Sequence, residues 1–305
     1  MKHLFIVNPT AGGKDCTEEV RAKVESIFSG RNEKYEIYVT KYAMDAPGKI
    51  REDAAYNDEV RVYACGGDGT FNECITGVAG LDNAAVCPFP TGTGNDFCRM
   101  FGDEQDKYRD LAALVDGSVR TIDLIQCNGR YSANICSTGI DARIGVDVHK
   151  YDKLPLLGGS MAYIASTVVN VLKSINTKMH VVADGYDVDA KHALVCACNG
   201  RFYGGGFNPS LKARPDDGVM DVYIIKKVSL FTLARLIGKY AAGHADDFPK
   251  YITHIQPERV DIFFDEPQTV QCDGEGMEAN HVYFRMVPGA VKLIVPRGMR
   301  FFETN

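Results

Sequence analysis

The sequence lacks the long apolar runs that a secretory leader or a membrane-spanning helix requires. Its first apolar run covers only residues 4–7, and the more apolar segments 161–172 and 230–242 are interrupted by polar or charged residues. A leader core needs about seven or more apolar residues, and a transmembrane helix needs about 20. We therefore expect a cytoplasmic protein with neither a leader nor a transmembrane segment.

An excess of basic charge is also absent. The chain has 34 Lys and Arg residues against 40 Asp and Glu residues, which gives a formal net charge of −6. Because nucleic-acid-binding proteins usually present a basic surface, nucleic acid is not an expected partner. A strongly polybasic membrane anchor is excluded for the same reason, whereas a local basic patch is compatible with the composition.

The cysteines lack the spacing of a zinc site or a redox pair. Ten cysteines occur, but no two form a Cys-x-x-Cys pair, and several, such as Cys65, Cys87 and Cys136, stand inside apolar runs. Small secreted proteins use paired cysteines as a disulfide framework, whereas isolated cysteines in apolar runs behave as small core residues. We predict reduced, buried thiols in a reducing compartment.

The 305 residues fit two closely abutting domains, since no internal repeat, low-complexity tract or long polar linker is present. In the first domain, residues 1–122, predicted strands alternate with helices. The strands are 4–7, 35–40, 60–65 and 84–89, and the helices are 17–28, 46–56, one from about Thr70 and one over 108–115. This alternation predicts an α/β domain with a doubly wound parallel sheet.

The pattern changes in the second domain, residues 123–295. Short strand-like runs follow one another, and only two helical stretches, near 160–175 and 230–242, interrupt them. The predicted strands are 120–127, 131–135, 178–184, 193–199, 220–225, 260–264, 269–272, 281–287 and 291–295. This pattern is typical of a mainly antiparallel β-sandwich. The last residues, 296–305, are expected to pack back on the first domain.

Polar residues follow three of the first domain's strands. Asn8 follows the first strand, Asp68 the third, and Thr93 and Asp96 the fourth. Since the carboxyl ends of parallel strands meet at one edge of a sheet, we expect these four residues to lie near one ligand.

The stretch from Gly66 to Thr70 has the composition of a phosphate site. Its three glycines let backbone N–H groups approach a bulky anion, and the following helix begins there. A carboxylate such as Asp68 repels phosphate unless a divalent cation lies between them or a proton must be removed. The stretch lacks the third glycine of a dinucleotide fingerprint, and Gly13-Lys14 is not followed by the Ser or Thr of a Walker A loop.

Four blocks of the sequence together resemble the diacylglycerol kinase family. They are Asn8-Pro9-Thr10-Ala11-Gly12, Gly66-Gly67-Asp68-Gly69-Thr70-Phe71-Asn72-Glu73, Pro90-Thr91-Gly92-Thr93-Gly94-Asn95-Asp96-Phe97-Cys98-Arg99 and Cys272-Asp273-Gly274-Glu275. The resemblance extends along the whole chain and is closest to the soluble bacterial lipid kinases, which are related to sphingosine kinases. The second block alone is similar to NAD kinases as well, whose two-domain plan is also alike.

The resemblance implies an ATP site, a catalytic Mg²⁺ and a general base. The implied ATP-site residues are Asn8, Pro9, Thr10, Ala11, Gly12, Thr40, Gly66, Gly67, Asp68, Gly69, Thr70, Phe71, Asn72, Thr93, Asn95 and Arg99. Asp68 would hold Mg²⁺, with Asp96 in the same polar cluster. Glu275, from the second domain, would act as the base, although the sequence leaves open whether Asp68 or Glu275 takes the proton. Residues 273–276 also fit a simple hairpin turn.

A second, structural Mg²⁺ is implied for the acidic turn at residues 214–221. On the family pattern Asp217 would supply a carboxylate, and Arg214 and Val219 would supply backbone carbonyls. The alternative is a solvated loop in which an Asp caps a turn.

The sequence thus predicts an ATP- and Mg²⁺-dependent lipid kinase that phosphorylates the hydroxyl of diacylglycerol or a similar lipid, giving phosphatidic acid. Sphingoid bases, ceramide, phosphatidylglycerol and smaller alcohols are compatible acceptors. An NAD kinase-like enzyme and a catalytically silent nucleotide- or lipid-binding regulator remain alternatives.

Transient contact with a membrane is expected, for which residues 148–159 are either a contact segment or a connecting loop. Exposed strand edges also make a homodimer an expected assembly.

Overall fold

The structure is a computed structural model, and it describes residues 1–13, 15–91, 95–151, 170, 174–204 and 206–303. The chain divides into two compact units. The first comprises Met1–Leu124 with Pro288–Asn305, and the second comprises Ile125–Val287.

The first unit alternates strands and helices, as predicted. Its strands are β1 (Lys2–Val7), β2 (Lys34–Val39), β3 (Val60–Gly66), β4 (Ala84–Pro90) and the start of β5 (Ser118–Cys127), and its helices are α1 (Thr17–Phe28), α2 (Ala46–Tyr56), α3 (Asp68–Val78), α4 (Asp96–Arg99) and α5 (Leu111–Val115). Short 3-10 helices cover Ala11–Gly13, Gly102–Arg109 and Phe301–Glu303.

The strands of this unit pair in parallel. β1 lies between β2 and β3, and β3 pairs with β4 on its other side. β4 in turn pairs in parallel with Lys292 and Leu293, near the end of the chain's last strand. β3 and β4 are nearly continuous apolar runs that are buried along almost their whole length, which is the pattern of strands covered on both faces.

Two predicted helices in this unit have different bounds in the structure. α3 begins at Asp68 rather than near Thr70, because Gly67 adopts an extended conformation at the N-cap and the next residue is already helical. The predicted helix over 108–115 is a 3-10 helix followed by α5. Asp110 separates the two because its side chain accepts a hydrogen bond from the Ala113 N–H and so starts a new helix.

The C-terminal residues described after β13 lie on the first unit. The Arg297 N–H donates to the Ala113 carbonyl (2.9 Å), and the Phe301 ring meets Phe101 edge-on with centroids 4.8 Å apart. The segment therefore adds aromatic packing to this unit.

The second unit consists mainly of antiparallel strands. They are the remainder of β5, β6 (Arg130–Ser132), β7 (Ile135–Gly139), β8 (Thr177–Ala183), β9 (Tyr186–Cys198), β10 (Asp221–Lys226), β11 (Ile252–Ile255), β12 (Arg259–Cys272) and β13 (Glu275–Val295), whose end belongs to the first unit. β9 pairs with β7, β8 and β10, and β12 pairs with β7, β8 and β13. Two apolar clusters, around Val181 and Val260 and around Leu194 and Tyr240, form its core.

Several strand and helix predictions in this unit require correction. The runs 260–264 and 269–272 form the single strand β12, whose register shifts between Phe263 and Gln268, and 281–287 and 291–295 both lie in β13. A helix that was not predicted, α6 (Ile140–Tyr151), follows β7. Its signal was missed because Gly139, with φ +107°, turns the chain directly from strand to helix without a polar loop.

The two predicted helices of this unit have different outcomes. α7 (Leu230–Ala241) agrees with the prediction for 230–242, and its N-cap Ser229 accepts a hydrogen bond from the Thr232 N–H (3.2 Å). Most of 160–175, and residues 152–159 of the segment considered for membrane contact, lie outside the described residues.

Candidate functional site

Asn8, directly after β1, links the end of that strand to β3 and to helix α3. Its backbone N–H donates to the Cys65 carbonyl (3.1 Å) at the end of β3, and its amide donates to the Thr70 hydroxyl oxygen (3.1 Å) in α3. Beside it, the Thr40 N–H donates to the Val7 carbonyl (2.9 Å). The structure therefore brings the predicted residues Asn8, Thr40 and Thr70 to one edge of the parallel sheet.

Gly66 is required by the packing of this edge. A Cβ at position 66 would lie 2.3 Å from Thr70 Oγ1 and 2.6 Å from Thr70 Cβ, which real side chains do not tolerate. The glycine therefore lets the first turn of α3 fold directly against the end of β3. The N-terminal N–H groups of α3 and its dipole then favour an anion at the turn.

Asp68 and Asp96 come together although 28 positions separate them. The Asp96 N–H donates to Asp68 Oδ1 (2.8 Å), which links the glycine turn to the start of α4. Asp96 also forms an ion pair with Arg99 (3.3 Å) one turn later. The ring centroids of Phe71 and Phe97 lie 4.8 Å apart behind these groups. Asp68, Asp96 and Arg99 thus form one polar cluster at the starts of α3 and α4.

Two polar atoms at this edge are buried without partners among the described residues. They are the Asn95 side-chain nitrogen and the Thr91 hydroxyl oxygen. The Thr91 N–H itself donates to the Gly66 carbonyl (3.3 Å), and Asn95 directly precedes Asp96, whose N–H contacts Asp68, so both residues lie beside the glycine turn. Buried polar groups are normally hydrogen-bonded, and an unpaired donor and hydroxyl beside a phosphate-type turn suit a polyanionic ligand such as ATP with Mg²⁺.

The remaining predicted residues of the first unit lie in the same segments. Thr10 donates from both its N–H and its hydroxyl to Asn8 Oδ1 (3.0 and 2.9 Å), which folds the turn after β1. The other predicted residues on these turns and on the first turns of α3 are Pro9, Ala11, Gly12, Gly67, Gly69 and Asn72. Thr93 lies outside the described residues.

The block that contains Glu275 forms a two-residue hairpin turn, which agrees with the simpler of the two interpretations of this segment. Cys272 pairs with Glu275 across the strands, and both connecting residues have positive φ, 49° at Asp273 and 90° at Gly274. Such values are typical of a type I′ turn. The turn leaves Glu275 exposed at the start of β13.

Asp273 anchors this turn. Its carboxylate accepts the Ser132 hydroxyl (2.5 Å) and the backbone N–H groups of Ala133 (2.8 Å), Asn134 (3.1 Å) and Ile135 (2.9 Å). Burial raises the pKa of Asp273 to about 6, whereas these donors favour its charged form. Four donors to one side chain fix the turn that presents Glu275.

A buried polar chain supports the same turn from its other side. The Gly274 N–H donates to Gln271 Oε1 (2.8 Å), and Gln271 Nε2 donates to Ser137 Oγ (2.9 Å). Beyond Ser137 lies Asp141, which accepts the Tyr203 hydroxyl (3.1 Å) and whose pKa burial raises to about 6. Gln271 and Asp141 were not predicted, since neither belongs to a recognisable motif. An Asp one position into a helix that follows a buried strand was the available signal.

The loop predicted to hold a structural Mg²⁺ is a tight turn. Arg214 makes a two-pronged contact with Asp216 (3.0 and 3.0 Å), and Asp217 accepts the Val219 N–H (3.0 Å) beside Gly218, whose φ is 72°. The carboxylate of Asp217 therefore caps the turn, as in the alternative reading of this loop. Asp217 itself is exposed.

Two properties of the described residues bear on metal and membrane binding. No group of three or more His, Cys, Asp or Glu side chains in the described part of the chain has the arrangement of a metal site. No helix in the same residues is long and apolar enough to cross a bilayer.

All ten cysteines are buried and free. This agrees with the prediction that they are reduced core residues rather than a disulfide framework.

Two consecutive parts of the chain match two different protein-family models. Residues 2–127 match the diacylglycerol kinase catalytic domain, and residues 134–295 match the YegS C-terminal NAD kinase β-sandwich-like domain. The chain thus consists of an N-terminal catalytic domain and a C-terminal β-sandwich-like domain.

Similar proteins match nearly the whole length. A diacylglycerol kinase of Bacillus subtilis is 30% identical over 294 residues, covering 93% of this chain and 91% of that protein. A Staphylococcus aureus protein, provisionally named a lipid kinase, is 25% identical and covers 84% and 82%. A Bacillus anthracis structure, provisionally described as a diacylglycerol kinase, is 26% identical with a TM-score of 0.75 over 97% of each chain. The protein belongs to the diacylglycerol kinase family, as the four sequence blocks predicted.

Proposed function

We propose that the protein is an ATP- and Mg²⁺-dependent lipid kinase that transfers the γ-phosphoryl group to the hydroxyl of diacylglycerol or a similar lipid, giving phosphatidic acid. The observation that carries the proposal is the contact between Asp96 and Asp68 (2.8 Å), which joins two family blocks at the sheet edge that also holds Asn8 and Thr70. Membership of the diacylglycerol kinase family supports the same reaction.

ATP and Mg²⁺, when bound, supply the transferable phosphoryl group and neutralise its developing charge. The chain's own contribution at this edge is positioning. The glycine turn at residues 66–69 offers backbone N–H groups at the start of α3, and Asn8 and Thr70 hold that turn against β1. Asp68 is a Mg²⁺ ligand in this proposal, and Arg99 offsets the negative charge of Asp96. Phosphoryl transfer depends mainly on such positioning and electrostatics.

Glu275 is the proposed acceptor of the lipid hydroxyl's proton. Support comes from its place in the fourth family block and from the four donors that fix Asp273 two positions before it. A carboxylate on a rigid turn can accept a proton with little reorganisation. Its exposed position leaves it accessible to a lipid headgroup.

A structural Mg²⁺ at Arg214, Asp217 and Val219 is part of the proposal. Mg²⁺ usually retains several waters and takes few protein oxygens, so one carboxylate and two carbonyls on a tight turn suffice. Added Mg²⁺ should raise the melting temperature of the wild type but not that of Asp217→Ala, with Asp184→Ala, at another exposed turn, as the control. Equal Mg²⁺ responses of all three proteins would remove this metal from the proposal.

We propose further that the protein works in the cytoplasm and contacts membranes transiently, and that it forms a homodimer. Ten free, buried thiols suit a reducing compartment. A long-chain acceptor resides in a bilayer, so contact with the membrane follows from the proposed substrate.

The deciding experiment is a kinase assay with radiolabelled ATP and a panel of acceptors. Diacylglycerol, a sphingoid base, ceramide, phosphatidylglycerol and NAD are offered separately, with and without Mg²⁺. Labelled phosphatidic acid that requires Mg²⁺ is the expected product. Labelled NADP would identify an NAD kinase instead, and ATP binding without any labelled product would identify a silent regulator.

A further inference from the structure

Helix α7 exposes a strip of large apolar side chains to solvent. Leu233, Leu236 and Tyr240 on one face are buried in the core of the second unit. On the other side Phe231 is 73% exposed, Leu230 55% and Ile237 37%. At about 100° per residue, Leu230 and Ile237 lie on one line with Ala234, so no large polar side chain interrupts the strip.

Basic residues flank this strip. Arg235 and Lys239, four positions apart, form a second exposed row on the helix, and Lys226 and Lys227 are exposed just before it. Residues 222–245 contain no Asp or Glu, although the whole chain has 40 acidic residues and a net charge of −6. Four cations and no acid in this stretch make it locally positive.

The acidic residues nearest in sequence, Asp221, Asp246 and Asp247, contact other side chains. Asp221 is buried and accepts hydrogen bonds from His254 (2.8 Å) and Gln256 (2.8 Å). Asp246 pairs with His254 (2.9 Å) and Asp247 with His244 (3.4 Å). Each of these carboxylates contacts a histidine or glutamine, and among the described residues none of them pairs with Lys226, Lys227, Arg235 or Lys239.

We propose that α7 together with Lys226 and Lys227, called here the α7 surface, docks on an anionic lipid bilayer. An exposed Phe and Leu beside a row of cations is the composition of helices that lie in the membrane interface, with apolar side chains among the acyl chains and cations at the headgroups. The opposite charges of the α7 surface and an anionic leaflet select a bilayer as the occupant.

Docking would serve the proposed function by bringing the protein to a lipid substrate, and to that extent the proposal rests on that function. Docking itself can be measured without ATP. It also explains how an acidic protein approaches an anionic surface. Four cations lie on α7 and just before it, and each one that reaches the surface of an anionic leaflet strengthens binding about fivefold.

The test is co-sedimentation of the full-length protein with vesicles of phosphatidylcholine alone or mixed with phosphatidylglycerol. The wild type should sediment with the anionic vesicles only. Arg235→Glu/Lys239→Glu should weaken that binding by at least about 20-fold, because two favourable charges are lost and two repulsive ones are added. Leu230→Ser/Phe231→Ser should weaken it by a similar or larger factor through the loss of apolar insertion.

Matched controls separate the α7 surface from general charge and apolarity. Lys34→Glu/Lys191→Glu changes the net charge equally at two other exposed positions, and Tyr56→Ser removes an 84% exposed aromatic side chain elsewhere. Both should bind the anionic vesicles like the wild type. Losses as large as those of the α7 variants would overturn the proposal, as would wild-type binding that ignores vesicle charge.

Turnover of a short-chain, water-soluble diacylglycerol distinguishes failure of docking from failure of the proposed function. The α7 variants should phosphorylate it at the wild-type rate. A wild type that phosphorylates it but never binds vesicles overturns the docking proposal alone, and one that binds vesicles without phosphorylating any lipid overturns the proposed function alone. A wild-type dimer that dissociates in Leu230→Ser/Phe231→Ser would assign the surface to a second copy and overturn bilayer docking.

Discussion

The turns that carry the proposed catalytic residues are built in opposite ways in the two units. In the first unit the carboxylate of interest, Asp68, is itself held, by the Asp96 N–H at 2.8 Å. In the second unit the held carboxylate is Asp273, whereas Glu275 is left exposed two positions later. In the first turn the hydrogen bond holds the Asp68 carboxylate itself. In the second turn the hydrogen bonds hold Asp273 and so fix the backbone that precedes Glu275.

The difference fits the roles proposed for the two carboxylates, a Mg²⁺ ligand at Asp68 and a proton acceptor at Glu275. A Mg²⁺ ligand must stay in place against phosphate repulsion, and a direct hydrogen bond orients its oxygens. A proton acceptor must reach a substrate hydroxyl, so its backbone has to be fixed while its carboxylate stays accessible. Four measurements on the turns test this division, in order of decreasing effect, and a fifth compares the two units through the pH dependence of their histidines.

The largest effect is expected for Glu275→Gln. The variant cannot accept the proton, so kcat should fall by about 10²–10⁴-fold, the usual contribution of a positioned general base. The melting temperature should not change, because the side chain is exposed. Glu266→Gln, at another exposed position of the same unit, is the control and should keep full activity. Turnover near that of the wild type in Glu275→Gln would assign the base elsewhere.

Asp68→Asn should lower kcat by about 10²–10³-fold, since loss of one metal ligand removes several kcal/mol of transition-state stabilisation. The amide oxygen can still accept the Asp96 N–H, so the fold should be retained. Circular dichroism and the Mg²⁺ dependence of the rate are the measurements. A variant with an unchanged Mg²⁺ requirement would show that Asp68 is not a metal ligand.

Asp273→Ala should destabilise the second unit and also impair activity. Several backbone N–H groups and the Ser132 hydroxyl would lose their acceptor, at a cost of about 1–3 kcal/mol in the free energy of unfolding. Asp184→Ala is a close control, because Asp184 also precedes a glycine in a two-residue turn between strands, yet it is exposed. Equal unfolding midpoints in urea for the two variants would show that Asp273 does not anchor its turn.

Gly66→Ala should destabilise the first unit by about 1–3 kcal/mol, because its Cβ would collide with Thr70. ATP binding should weaken as the first turn of α3 moves. Gly48→Ala, an exposed helical glycine whose added Cβ meets nothing within 4 Å, should instead be neutral or stabilising. Chemical unfolding and nucleotide titration measure both effects, and a Gly66→Ala protein as stable as Gly48→Ala would contradict the packing argument.

The smallest expected effect is on the pH dependence of stability. One histidine in each unit contributes to it, and the two contributions change with pH in opposite directions. Burial lowers the pKa of His3 to about 4. The stability that neutral His3 contributes is therefore complete above the ordinary pKa of 6.5 and is lost as the pH falls through about 4. The hydrogen bond to Asp221 raises the pKa of His254. The stability that protonated His254 contributes is therefore complete below pH 6.5 and is lost as the pH rises through the raised pKa.

His254→Gln should therefore cost about 1 kcal/mol near pH 6 and less near pH 9, because the charged hydrogen bond exists only when the imidazole is protonated. Urea unfolding of the wild type and the variant at both pH values measures the difference. An equal loss at the two pH values would mean that His254 contributes packing rather than charge.

Much of the first unit was predictable because its signals are local. The bounds predicted for α1 and α2 agree with the structure, since both helices start after a turn and end where their apolar spacing ends. The glycine turn was recognisable for the same reason. Its residues must satisfy backbone geometry wherever the rest of the chain lies.

The second unit was less predictable because its strands pair over long distances. Whether residues 260–264 and 269–272 form one strand depends on partners in β7, β8 and β13, and the register shift between Phe263 and Gln268 has no local signature. The start of α6 was missed because Gly139 acts through a close approach to the backbone of Ala193, 2.4 Å from the position its Cβ would occupy.

Composition and spacing along the chain were enough to predict the alternation of strands and helices in the first unit, the glycine turns and the family to which the protein belongs. Three features became visible only in the folded chain: the Asp96 N–H contacts Asp68, four donors fix Asp273 rather than Glu275, and one side of α7 is exposed. Those outcomes depend on which distant segments pack together. Contacts between residues 28 or 138 positions apart are set by the packing of the whole unit and not by any local pattern.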